Sequence, residues 1–164
     1  MPIPGNYRKL YLKFKYIVII QGSGGGGDFE SAAFSKASGL KVDLTEIKYS
    51  EGGAYIDYKE PGKLEVGDIT LARGVSKNQD MYNWLLLCVN AMAKLPGGLG
   101  AVSPSFFKDL TIRQLDRDDT PALDHRLYWA FPKSLSMGDW DSNANEVSIE
   151  EMTVGYHHPE RRVY

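Results

Sequence analysis

Residues 10–20 place an apolar side chain at every second position. Leu10, Leu12, Phe14, Tyr16, Val18 and Ile20 share one side, and Lys13 and Lys15 lie on the other. Strand side chains alternate between faces with period two, so this spacing predicts a half-buried strand. The same period returns at Leu40, Val42 and Leu44 within residues 39–49, and at Ile69 and Leu71 within 63–73. It recurs at Leu110 and Ile112, at His125, Leu127, Trp129 and Phe131, and at Val147 and Ile149 in a strand over 145–156. Only residues 79–95 carry helical spacing, where Met81, Trp84, Leu85, Cys88 and Met92 form a stripe expected to be core. Asn78, or Ser76 with Gln79, suits its N-terminus, and Pro96-Gly97-Gly98 stops it. Strands, one helix, then strands again is not a βαβ order. It predicts a mainly β fold: an antiparallel barrel or sandwich of six or seven strands with one packed helix.

The 164 residues suit one domain over 1–164, with loops at 22–28 and 96–108. Lysine and arginine number 19 against 21 acidic residues, so the chain lacks the basic excess with which a free-standing nucleic-acid binder neutralises phosphates. Cys88 is alone, which excludes an internal disulfide. The longest apolar runs, 16–20 and 84–89, are too short to span a bilayer, and the first residues lack signal-peptide regions. No membrane anchor is expected, and synthesis in the cytoplasm is.

The run Gly22-Ser23-Gly24-Gly25-Gly26-Gly27 fits the spelling of a dinucleotide fingerprint, with Asp43 about twenty residues on. Its mechanism requires a helix opening at the glycines and a return to a parallel strand, and Gly39 interrupts the short stretch available. His157 and His158 are adjacent and would point to opposite faces of a strand, as would Glu150 and Glu151. Cys88 sits on the apolar helix stripe, and Ser31, Ser35 and Ser38 have no histidine nearby. These patterns predict no enzyme, no cofactor and no metal. A nucleotide-binding enzyme using residues 22–27 is the contrasting reading.

Ten tyrosines and three tryptophans exceed what one small core needs, and amphipathic aromatics favour interfaces. Tyr55, Ile56 and Tyr58 lie between Gly52-Gly53 and Pro61-Gly62, in what reads as a long excursion between strands. This favours self-assembly.

Several blocks, in order, resemble the T4-like phage tail tube proteins and their relatives in contractile injection systems. They are the strand at Phe14 to Ile20, the block Phe34-Ser35-Lys36-Ala37-Ser38-Gly39-Leu40, and Tyr49-Ser50-Glu51-Gly52-Gly53. Lys59-Glu60-Pro61-Gly62, Gly67-Asp68-Ile69-Thr70-Leu71-Ala72-Arg73-Gly74-Val75, and Asp80 with Trp84 follow. Tyr128-Trp129-Ala130-Phe131-Pro132 and Asn145-Glu146-Val147-Ser148-Ile149-Glu150-Glu151 complete them. The resemblance implies homohexameric rings that stack into an inner tube, around which a contractile sheath works with baseplate and terminator proteins. DNA or effector protein would pass through the lumen, and a chain without strong positive charge lets DNA slide. The excursion would touch the neighbouring ring through Tyr49, Glu51, Tyr55, Ile56 and Tyr58. The subunit would be made in the host or producer cytoplasm and end in a virion tail or injection particle. A tube-initiator or baseplate adaptor paralogue forming a single ring is the alternative. Residues 22–28 and 95–108 depart from the family pattern.

Overall fold

The computed structural model describes residues 10–22, 29–31, 34–93 and 106–164. In chain order the strands are β1 (Tyr16–Gly22), β2 (Phe29–Ser31), β3 (Phe34–Ser38), β4 (Val42–Tyr49), β5 (Tyr58–Val66) and β6 (Ile69–Gly74). After helix α1 (Asp80–Ala93) come β7 (Lys108–Leu115), β8 (Pro121–Met137), β9 (Ile149–Gly155) and β10 (His158–Val163). All pairings between them are antiparallel.

Strand β8 organises the molecule. Its first half pairs with β7 on one side and β10 on the other, while its second half pairs with β9. The main sheet therefore runs β2-β1-β7-β8-β9-β6-β3, with β10 attached beside β8. At the changeover Trp129 adopts φ 56°, which is costly for a bulky residue, and the register against β9 slips between Pro132 and Ser134. Asp109 Oδ1 accepts the Trp129 backbone N–H at 3.2 Å and helps hold this bend.

Val18, Ile20, Leu110 and Leu127 from one half of the sheet meet Ile69, Leu71, Met152 and Val154 from the other in one buried cluster. Each removes a branched or flexible apolar side chain from water, roughly 1.5–3 kcal/mol per residue. The helix adds Met81 and Trp84, and Trp84 is only 2% exposed with its indole N–H donating to the Phe106 carbonyl at 2.8 Å. Asn78 Oδ1 accepts the Asp80 N–H at 2.9 Å and caps the helix.

The structure corrects the expected architecture in three respects. No closed barrel forms among the described residues: β8 alone joins the two halves, so the strand order is a path ending at β2 and β3. Ten strands are described instead of six or seven, because Gly67 and Asp68 divide the 63–73 strand and because β2, β3 and β10 lack a clean alternation. Leu85 and Cys88 are half-buried, and Met92, in the last helical turn, is 52% exposed, so it lies outside the core.

Candidate functional site

Strands β4 and β5 form a sheet of their own. The expected excursion over 50–61 is in fact the turn of this hairpin and the start of β5, with Tyr49 opposite Tyr58. Eight residues of β4 at about 3.3 Å each give an arm roughly 26 Å long. Near its base the Lys41 carbonyl accepts the Gly67 N–H at 2.9 Å and the Tyr156 hydroxyl at 3.4 Å. Beyond that base the arm buries little: Tyr49, Glu51, Tyr55, Ile56 and Tyr58 are all exposed, Ile56 by 86%.

The register shows that the arm changes its apolar face half-way. Near the base, Val42 opposes Val66 and Leu44 opposes Leu64, and on this same face Glu46 opposes Pro61 and Lys48 opposes Lys59 towards the tip. The other face starts with Asp43 opposite Glu65 and ends with Ile47 opposite Glu60 and Tyr49 opposite Tyr58. Directly opposed residues share a face, so the base patch and the tip patch look in opposite directions. A bulge separates them. Two residues advance on β4 between the pairs at Leu44 and Glu46, against three on β5. The Thr45 hydroxyl fills the gap, accepting the Lys63 N–H at 2.7 Å and donating to the Lys63 carbonyl. Gly62 is required there, because a Cβ would lie 2.5 Å from Thr45 Oγ1. Ile47, Leu44 and Leu64 thus join the site residues read from the sequence, and the alternation of Val42 with Leu44, then out of phase of Ile47 with Tyr49, was the signal for two of them.

Beside the arm's base, Leu40, Val42, His125, Leu127, Pro159, Glu160 and Arg161 surround a hollow of about 420 Å³. Burial, and secondarily the Arg161 charge, hold His125 below its ordinary pKa.

The face of β7, β8 and β10 away from the core is polar and internally paired. The rows Arg113–Asp124–Arg162 and Thr111–Arg126–Glu160 cross it by register. Asp124, fully buried, accepts Arg113 Nε at 2.9 Å, Arg113 Nη2 at 3.0 Å and the Tyr164 hydroxyl at 2.7 Å. The Arg113 hydrogen bonds hold the Asp124 carboxyl below its usual range against the opposing effect of burial.

The residues weighed for chemistry are dispersed or occupied. β2 pairs antiparallel with β1, so the glycine run connects an antiparallel pair, and residues 23–27 of that run lie outside the described residues. This connection lacks the parallel return that a dinucleotide fingerprint needs. Glu150 is buried against Arg73, whereas Glu151 is exposed. His157 sits among Phe107, Trp129 and Phe131, while His158 stacks on Tyr128. Burial pushes the Cys88 thiol pKa up, the direction that disfavours a reactive thiolate. No metal-binding group of three histidine, cysteine or acidic residues occurs among the described residues, and no described helix is long and apolar enough to cross a membrane.

The family model described as T4-like virus tail tube protein gp19 matches residues 12–160. The chain belongs to this tail tube family. Solved structures agree in fold. A chain of the anti-feeding prophage baseplate superposes with TM-score 0.74 at 20% identity, covering 99% of this chain and 98% of that one. A chain of the extracellular contractile injection system PVC sheath–tube complex in its extended state gives 0.75 at 22% identity, covering 96% and 95%. A chain of the anti-feeding prophage tube-terminating cap gives 0.73 at 23%, covering 100% and 97%. No curated protein matches by sequence. Membership in the tail tube family makes a structural role the starting point for function.

Proposed function

We propose that the protein is the inner-tube subunit of a contractile tail or phage-like injection particle. Six copies close into a ring and rings stack head to tail, the heterologous arrangement that extends without limit. The observation that carries this reading is the arm, whose aromatic and aliphatic side chains find almost no cover in their own subunit. Such a surface costs solubility unless another chain covers it. Among the described residues the sheet path ends at β2 and β3, and such ends call for partners as well, since an unpaired edge exposes backbone donors and acceptors.

The polar face of β7, β8 and β10 lines the passage. Its guanidiniums at Arg113, Arg126 and Arg162 are matched by carboxylates at Asp109, Asp124 and Glu160, which leaves no continuous basic track. A polyanion such as DNA, or an effector protein, then slides without being held. The solved similar chains come from sheath–tube, baseplate and cap assemblies, which supports a sheath, a baseplate and a terminator as partners here. The role is mechanical and needs no catalysis. Sedimentation of the purified chain across micromolar concentrations tests it: species of six chain masses and larger are expected, and a clean monomer at high micromolar concentration contradicts it.

A further inference from the structure

The hollow beside the arm's base lies between the main sheet and the root of the arm. One wall is the core-facing side of β8 and β10, where Leu127 opposes Pro159 and His125 opposes Arg161. The other wall is Leu40 and Val42. Just before them Gly39 adopts φ 99°, and a Cβ there would collide with the Asp68 carbonyl oxygen, so glycine is required at this pivot. Lys41, between the two wall residues, attaches the arm: its carbonyl accepts the Gly67 N–H at 2.9 Å and the Tyr156 hydroxyl at 3.4 Å.

Directly opposed residues share a sheet face, so His125 looks into the hollow beside the Arg161 guanidinium. Arg161 is exposed and makes no ion pair among the described residues. The other charges nearby are engaged elsewhere. Asp124 and Arg126, next to His125 on β8, lie on the opposite face with Arg113 of β7 and Arg162 of β10, and Asp124 is bonded to Arg113 and the Tyr164 hydroxyl. Glu160, also at the rim, accepts the Tyr128 hydroxyl at 2.5 Å. Lys41 pairs with Asp43, and on β7 His125 meets the apolar Ile112.

We propose that His125 is a proton-operated latch for the arm: neutral, it lets Leu40 and Val42 seat over the hollow, and protonated, it draws water in and frees the arm's root from the sheet. A charged imidazole in the closed hollow would face apolar walls and a like charge, and a buried cation without a partner is costly. Turning about Gly39 hydrates that charge at the loss of few contacts, chiefly those at the Lys41 carbonyl. In the seated form burial, and secondarily Arg161, hold His125 below its ordinary value of 6.5. Release removes both influences, so the freed arm takes up the proton first. The seated arm is therefore fully favoured above about 6.5 and loses ground as pH falls below it. The latch belongs to a single subunit and does not depend on the tube role.

Histidine NMR and amide exchange of the full chain, kept dispersed at low concentration, test the latch as pH falls from neutral to mildly acidic. His125, told apart from His157 and His158 by the signal missing in His125→Gln, is expected to titrate below 6.5. The Gly67 amide, corrected for intrinsic exchange, is expected to lose protection over the same range in the parent and to keep it in His125→Gln. Arg161→Gln, at an exposed position, is expected to fold like the parent and to move the His125 midpoint upward. A His125 midpoint at or above 6.5, a Gly67 amide equally protected throughout, or a loss of protection that persists in His125→Gln overturns the latch. If His125→Gln fails to fold, Arg161→Gln decides. A Gly67 opening that moves to higher pH together with the His125 midpoint supports the latch, and an opening that stays where it was overturns it.

Discussion

Arg73 and Glu150 face each other across β6 and β9, and their side chains meet at 2.5 Å inside the core. They continue the row that Ile69–Val154 and Leu71–Met152 begin. Arg73 Nη2 also donates to the Asn78 carbonyl at 2.8 Å, tying the sheet to the start of the helix. Removing one partner leaves a buried charge without compensation. Glu150→Ala is expected to cost about 3–5 kcal/mol in urea unfolding, and Arg73→Met with Glu150→Leu much less. Equal losses in both would show that the pair itself supplies the stability.

Trp84 fills the core between helix and sheet and satisfies its indole N–H on the Phe106 carbonyl. Trp84→Ala is expected to destabilise the chain by about 3–5 kcal/mol. Met92→Ala, at a half-exposed position, should stay within about 0.5 kcal/mol. Thermal melts of the two variants check both statements.

Asp124 ionises more readily in the folded chain than in the unfolded one, chiefly through Arg113. The unfolded chain then binds the extra proton first, so this group's stabilisation is complete above the unfolded carboxyl value near 4 and is lost as pH falls through the folded one. Stability of the parent protein should decline on acidification below about pH 4, and Asp124→Asn should flatten that part of the profile. Urea midpoints measured from pH 5 to pH 2 follow it.

Tyr55, Ile56 and Tyr58 contribute almost nothing to the isolated fold because all three are exposed. Replacing them together by Ser should leave the melting temperature of dispersed protein unchanged while stacking weakens by about 2 kcal/mol or more per subunit. Failure of this variant to fold would place the three residues in the core and contradict the arm.

Of the strand read over 10–20 only the part from Tyr16 forms, because Leu10 and Phe14 are exposed and no neighbouring strand pairs with them among the described residues. That part and the helix were legible because each buries one face, and burial imposes a period. The arm was not legible as a hairpin: Pro61 and Gly62 interrupt its alternation at the bulge, and both of its faces are exposed. β10 gave no signal, since His158-Pro159-Glu160-Arg161-Arg162 is polar and joins the sheet by backbone pairing to β8. The helix stripe overreached at Met92 because Leu86, Leu87 and Val89 make the helix apolar beyond the face it buries. The barrel could not be judged from one chain's pattern. Alternation shows which face of a strand is buried, while closure depends on which edges pair. The aromatic residues of the tip were legible as interface candidates, but the hollow beside the arm's base combines β4, β8 and β10, which only folding brings together.

Electron microscopy of the purified chain is the decisive experiment on the tube role. Six-fold rings with an open centre that stack into tubes as concentration rises are expected. A field of dispersed single subunits at high micromolar concentration, with no rings, would contradict it.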